Sequence, residues 1–214
     1  MEQSDATIFV IDDDERVRTA LQRLLGSVNL RAETFATAHS FFQSCKASQS
    51  GCIVLDVRMP GLSGPEVQEQ LEGRGIHLPV IIVTGHGDVT LCARMMKAGA
   101  ADFLLKPIND QELIDAVHRA IARDGRMRQV RAQREDALRR VALLTPRERQ
   151  VLSLVVTGKM NKHIASELGI SEKTIKVHRA HVMEKLQAES VPDLVRLAQA
   201  AGIGLTPDGG ETKV

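Results

Sequence analysis

The hydrophobic rhythm of the chain changes partway along. In the first half, short unbroken apolar runs alternate with amphipathic stretches. Thr7–Ile11, Cys52–Leu55, Val80–Val83 and Ala101–Leu105 have strand length, and a weaker run, Arg31–Phe35, lies between the first two. Apolar residues without alternation signal strands buried on both faces, as in parallel sheets. Val17, Leu21, Leu24, Leu25 and Val28 recur at helical spacing, and helical patterns fill Ala36–Lys46, Gly64–Gly73, Asp88–Ala98 and Asp110–Ala122. This alternation predicts an α/β fold: a doubly wound, five-stranded parallel sheet with helices on both faces.

After Ala122 the texture is different. Arg123–Arg140 is rich in Arg, Gln and Glu and reads as an exposed helical linker. From Leu144 the pattern is all-helical. Thr145-Pro146-Arg147-Glu148 is a capping box with proline at the first helical position. Gly158 ends that helix. Asn161 is expected to cap Lys162–Leu168, which Gly169 stops. Ser171 caps Glu172–Leu186, and a last helix, Val191–Ala201, stops at Gly202. The second domain is thus all-α, with four helices. The boundaries follow: a first domain over 1–122, a helical linker over 123–142, the helical domain over 143–205 and a disordered tail over 206–214.

Composition narrows the chemistry. Five Phe and no Trp or Tyr mean an aliphatic core. No apolar run approaches the ~18 residues of a membrane span, and Met1–Thr7 has no leader pattern, so a cytoplasmic location is expected. Cys45, Cys52 and Cys92 are odd in number and scattered, and read as reduced thiols. Residues 1–122 hold 11 Lys/Arg against 16 Asp/Glu, residues 123–142 hold 7 against 3, and residues 143–214 hold 10 against 8. An acidic front and a basic rear suggest a metal or phosphoryl site first and a polyanion partner second.

The chemistry concentrates at strand ends, where open α/β sheets bind ligands. Asp12 and Asp13 follow the first strand and Asp56 the third. Three carboxylates at one sheet edge repel one another and call for a cation. Mg²⁺ suits such a site, because it takes one or two carboxylates, keeps waters and accepts a phosphate oxygen. Thr84 offers a hydroxyl and Lys106 a positive charge from two further strand ends. An aspartate can act as nucleophile toward a phosphoryl group. Acids after strands are also ordinary turn residues and helix caps, and Asp14 reads as the cap of the following helix. It is the joint appearance of the set, in order, that favours a site.

These residues resemble the response-regulator receiver family. The resemblance is carried by Phe9-Val-Ile-Asp-Asp-Asp14, Val54-Leu-Asp-Val-Arg-Met-Pro-Gly-Leu-Ser-Gly64, Val83-Thr-Gly-His-Gly-Asp88 and Lys97-Ala-Gly-Ala-Ala-Asp-Phe-Leu-Leu-Lys-Pro107. It covers about residues 6–122 and implies a flavodoxin-like receiver fold. It implies phosphorylation of Asp56 by a sensor histidine kinase. It also implies Mg²⁺ held by Asp13 and Asp56, by Asp12 more remotely and by the backbone carbonyl of Arg58. Thr84 and Lys106 would contact the phosphoryl group, and the peptide before Pro107 would be cis. Phe103 stands where the family carries its aromatic switch; a plain core Phe fits the sequence equally. His86 reads as a solvated loop residue or a sensor of phosphoryl charge.

In the second half, Asn161–Leu186 reads as helix, tight turn at Gly169, helix, the spacing of a helix-turn-helix. The second helix carries Lys173, Thr174, Lys176, His178, Arg179 and His181, with Ile175, Val182 and Leu186 facing inward. Leu144–Leu152, Asn161–Ala165, Leu168–Ser171 and Thr174–Arg179 resemble the LuxR-type effector domain, and the whole chain resembles FixJ-like response regulators. The resemblance implies that Lys176 and Val177 face bases of double-stranded promoter DNA, while Lys162, Thr174 and Arg179 hold phosphates. The last helix resembles the family's dimerisation helix, or is simply a fourth core helix.

The expected protein is therefore a transcription regulator and not an enzyme. Phosphorylation of Asp56 would promote homodimerisation and activating DNA binding, with RNA polymerase as a further partner. Two other readings stand beside it. An aspartate-nucleophile phosphatase would usually carry a second acid two residues after the nucleophile, where this chain has Arg58. A passive receiver scaffold would have no need of the intact acidic set.

Overall fold

The computed structural model describes residues 6–59, 64–85 and 94–203. Five parallel strands form one sheet: β1 (Thr7–Ile11), β2 (Arg31–Phe35), β3 (Gly51–Asp56), β4 (Val80–Thr84) and β5 (Asp102–Leu105), in the order β2-β1-β3-β4-β5. The helices between them are α1 (Glu15–Ser27), α2 (Ala38–Ser44), α3 (Gly64–Gly73) and α4, whose described part is 94–97. Residues 88–93 of the helix expected over 88–98 lie outside the described residues, as do His86, Cys92 and the tail from 204 onward, and Ala98 is already in a turn.

Every residue of β1, β3 and β4 is buried, which is why these strands read as unbroken apolar runs. Alternate residues serve opposite faces of the sheet. Phe9, Ile11, Ile53, Leu55 and Ile82 pack with Phe41, Phe42, Val67 and Met95 on one face. Ile8, Val10, Cys52, Val54, Ile81 and Val83 pack with Leu21, Leu25, Leu113 and Val117 on the other. β3 is longer than the sequence suggests by one residue at each end. At its start, Gly51 has φ 137°, and a Cβ there would meet the Thr7 carbonyl oxygen at 1.9 Å, so only glycine allows this close strand pairing. Burial pushes the Cys52 thiol up to about 12, with Asp124 adding to the effect. Cys45 and Cys52 are both free.

The helix expected over 110–122 and the helical linker are one continuous element, α5 (Asp110–Ala142), of 33 residues. Gly125 does not break it. One residue earlier the buried Asp124 accepts hydrogen bonds from Ser50 Oγ and Gly51 N, both at 3.0 Å. The chain divides into two compact units, Met1–Met127 and Arg128–Val214.

The second unit contains the end of α5 with α6 (Pro146–Val156), α7 (Asn161–Leu168), α8 (Glu172–Leu186) and α9 (Val191–Ala200). Val151, Leu152, Ile164, Ile175, Val182, Leu186 and Leu194 form its core. The capping box at Thr145 is present, and Ser171 caps α8 through Thr174 N. One cap differs from expectation. Asn161 is the first residue of α7 and Met160 is its cap, without a side-chain bond. The Asn161 side chain instead accepts from Arg179 Nη1 at 2.8 Å, tying the two helices together. Gly169 ends α7 in the left-handed region (φ 66°), which gives the sharp turn into α8. No helix among the described residues is long and apolar enough to cross a membrane.

Candidate functional site

The sheet order makes β1 and β3 neighbours, with Ile11 opposite Leu55. The residues that follow, Asp12 and Asp56, therefore leave the sheet side by side. β1 also pairs with β2 on its other side, so this edge is where the strand order reverses. Ligand oxygens of Asp12, Asp13 and Asp56 lie within 4.8 Å of one another. Asp12 and Asp56 are buried and Asp13 is exposed. β4 and β5 bring in the other two groups: Lys106 N donates to the Thr84 carbonyl at 2.8 Å.

Lys106 Nζ donates to Asp12 Oδ2 at 2.7 Å and to Asp56 Oδ2 at 2.6 Å. Burial opposes its charge, but the bonds to Asp12 and Asp56 and their coulombic attraction outweigh it, so the Lys106 pKa is raised. The second oxygen of each acid is held by the main chain. Asp12 Oδ1 accepts from Asp14 N at 2.8 Å, and Asp56 Oδ1 from Arg58 N at 2.9 Å. Arg58 itself is exposed. The Thr84 hydroxyl is buried and finds no hydrogen-bond partner among the described residues. The peptide between Lys106 and Pro107 is cis.

This donor set fits a hard divalent cation. Three carboxylates converge, two of them buried beside a single ammonium, and the geometry leaves net negative charge open to solvent through Asp13. The Thr84 hydroxyl, at the end of β4 beside β3, is a buried donor without a partner among the described residues. Phe103 is 43% exposed on β5, and Leu105 beside it is 49% exposed, so the reading of Phe103 as a plain core residue is overturned. β5 carries only one buried residue, Leu104, on its apolar run. One residue that the strand-end reading missed is Arg18, whose guanidinium donates to the backbone carbonyls of both Asp12 and Asp13. Its only signal in the sequence is a basic side chain one turn into the helix after the acids.

In the second unit, Lys162, Thr174, Lys176 and Val177 are exposed. Val177 is 48% exposed although apolar, while Ile175, Val182 and Leu186 are buried, so α8 turns a mixed cationic and apolar face outward. The Thr174 hydroxyl shares a hydrogen bond with Ser171 Oγ at 2.8 Å. Arg179 is half-buried against Asn161. An ionic contact adds to the core packing of α8. Glu148 is buried and accepts from Lys185 Nζ and Thr145 N, at 2.7 and 2.8 Å. Chiefly through the Lys185 bond, its carboxyl is held down at about 2.

Comparison with known proteins agrees with both halves. Residues 8–118 match the response regulator receiver domain, and residues 142–198 match the luxR family of bacterial regulatory proteins. Nodulation protein W of Bradyrhizobium diazoefficiens is 45% identical over 92% of this chain and 87% of its own. The transcriptional regulatory protein FixJ of Azorhizobium caulinodans is 45% identical over 96% of this chain and 97% of its own. The solved structure of the response regulator StyR is similar with a TM-score of 0.78 at 45% identity, covering 91% of this chain and 98% of its own.

Proposed function

The chain belongs to the two-component response regulators that join a receiver domain to a LuxR-type DNA-binding domain, and from that premise we propose that phosphorylation of Asp56 by a sensor histidine kinase switches its binding to promoter DNA. The observation that carries this reading is the double ion pair of Lys106 with Asp12 and Asp56, at 2.7 and 2.6 Å, with the buried Thr84 hydroxyl, at the end of the neighbouring β4, lacking a partner among the described residues. A carboxylate oxygen of Asp56 attacks the phosphorus of a phosphohistidine, and the P–N bond breaks with its electron pair leaving on the imidazole. Lys106 then exchanges one carboxylate contact for a phosphoryl oxygen. Thr84 gains the acceptor it lacks. Asp13 and Asp56, with Asp12 more remotely and the backbone carbonyl of Arg58, would hold Mg²⁺, which when bound would supply positive charge to offset that of the transferring group.

An apolar groove of Val17, Leu21, Leu24 and Ile108 adjoins Lys106 and suits docking of the kinase. The inward movement of Thr84 and Lys106 repacks the surface of β5 that exposes Phe103 and Leu105, and two receivers pair. Receivers, linker and effector are assigned to 1–122, 123–142 and 143–205. Pairing brings two α8 helices onto adjacent half-sites, so affinity rises through effective concentration. Lys176 and Val177 read bases, and Val177 suits a thymine methyl. Lys162, Thr174 and Arg179 hold phosphates. The regulator then activates transcription through RNA polymerase in the cytoplasm.

The test is a titration of duplex DNA, selected from a random pool by the phosphorylated chain, with and without acetyl phosphate and Mg²⁺. Wild-type affinity rises at least tenfold on phosphorylation; Asp56→Asn shows no rise. An equal rise in Asp56→Asn removes Asp56 as the switch.

A further inference from the structure

We propose that Arg18 is a positioning residue of the acidic site: it clamps the main chain of Asp12 and Asp13 and thereby sets how tightly the site holds a divalent cation. The inference rests on the reading of that site as a Mg²⁺ site. Residues 12–14 are the turn between β1 and α1. Asp12 N still bonds the Phe35 carbonyl of β2 at 3.2 Å, whereas Asp14 N has already turned to the Asp12 carboxylate at 2.8 Å. The carbonyls of Asp12 and Asp13 accept no backbone hydrogen bond among the described residues. Both accept from one nitrogen of Arg18, Nη1, at 2.8 and 2.9 Å. Each hydrogen of that nitrogen serves one carbonyl, so two successive peptide planes are fixed by one rigid fork.

The orientation of those two planes decides where the two carboxylates point. Asp12 is further held by Lys106 and by its own turn. Asp13 is exposed, and its backbone carbonyl is held by the Arg18 clamp while the Asp14 N–H of the same peptide bonds the Asp12 carboxylate. Without the clamp, the Asp13 carboxylate samples directions away from the other two acids. Those lost orientations must be recovered each time a cation binds. Outer contacts that orient metal ligands typically matter by about 10–100-fold in affinity.

The sign of the effect separates this role from simple electrostatics. Arg18 is a cation beside a cation site. If only its charge mattered, removing it would tighten Mg²⁺ binding. If it positions Asp12 and Asp13, removing it weakens binding.

The experiment is calorimetric titration of the full chain with MgCl₂, repeated with Mn²⁺ read by water-proton relaxation. The variants are Arg18→Met, which keeps the aliphatic stem, and Arg18→Lys, whose ammonium sits one bond closer to the main chain. We expect about tenfold weaker binding for Arg18→Met and a smaller loss, about threefold, for Arg18→Lys. Unchanged or tighter binding by Arg18→Met overturns the proposal, even if that variant melts at a lower temperature. Should Arg18→Met fail to fold, Arg18→Lys decides on the same terms. Absence of Mg²⁺ binding by the wild-type chain would instead overturn the metal-site reading itself.

Discussion

Replacing Lys106 by Met removes the one ammonium that joins Asp12 to Asp56. Its nitrogen lies 2.7 and 2.6 Å from their oxygens, and the two acids are only 3% and 7% exposed. A unit charge pair at about 4 Å in a medium of effective dielectric about 20 interacts by about 4 kcal/mol. Breaking a buried pair by deleting one partner typically costs about 3–5 kcal/mol, because the other charge stays buried. The lower end applies here: each acid keeps a backbone N–H donor, from Asp14 or Arg58, and the Lys106 side chain is 25% exposed. A loss of about 3 kcal/mol lowers the melting temperature of a unit this size by roughly 10 °C. The assay is differential scanning calorimetry of wild type and Lys106→Met in EDTA, then in 10 mM MgCl₂ (roughly a saturating level for a ligand that stabilises by mass action). In EDTA the variant's receiver transition falls by about that amount. In Mg²⁺ most of the loss is recovered, since a cation again sits among the carboxylates, while phosphorylation by acetyl phosphate stays slow. A receiver transition in EDTA within 2 °C of wild type (an effect of well under about 1 kcal/mol) would refute the claim that Lys106 neutralises a strained acidic pair.

Other consequences are equally measurable. Thr84→Val removes a buried hydroxyl with no partner among the described residues, so the protein in EDTA gains about 1 kcal/mol in a denaturant titration, while the phosphorylation-dependent rise in DNA affinity is lost. Glu148 is held at about 2, below its ordinary 4.5; the stability this adds is complete above about pH 4.5 and is lost as pH falls from there toward 2. Lys185→Met therefore flattens the acid-induced unfolding curve of the second unit in that window, as followed by circular dichroism. Ala20→Arg, in the groove beside Lys106, blocks phosphotransfer from a kinase but leaves labelling by acetyl phosphate unchanged. Lys162→Ala weakens binding to all duplexes alike and lowers the salt slope by about 1, whereas Val177→Ala changes sequence preference more than affinity; selection from random DNA separates the two.

The parts of this molecule that were legible in its sequence share a physical trait: one residue type admits one solution. Unbroken apolar runs required strands buried on both faces, and the parallel sheet followed. Acids and a lysine placed directly after such strands had to meet at one edge, because strand ends in a parallel sheet point the same way, and Asp12, Asp56, Thr84 and Lys106 do converge. What was not legible involves competition between partners of similar strength. Asn161 suits a helix cap, but an arginine 18 residues later offers its side-chain oxygen a charged donor, and the cap passes to Met160. Phe103 fits a switch or a core residue equally from its sequence, yet β5 is the edge strand and leaves that ring exposed. Local pattern records burial by layers of the sheet and does not record which strand ends up at the edge.

The sequence pattern sets a boundary at Ala122, whereas α5 runs unbroken from Asp110 to Ala142. Charge composition changes at Arg123, but helix propensity does not, and a single Gly125 costs only about 1 kcal/mol. The anchoring of Asp124 to Ser50 and Gly51 spans more than 70 residues, so no local window contains it. That contact ties the helix to the start of β3, the strand whose other end carries Asp56. The same strand is thus held at its foot by a buried carboxylate and at its tip by Lys106. Under the phosphorylation proposed above, the exchange of partners at that tip is expected to be read out at the neighbouring strand ends, at Thr84 and along β5, where Phe103 and Leu105 face solvent.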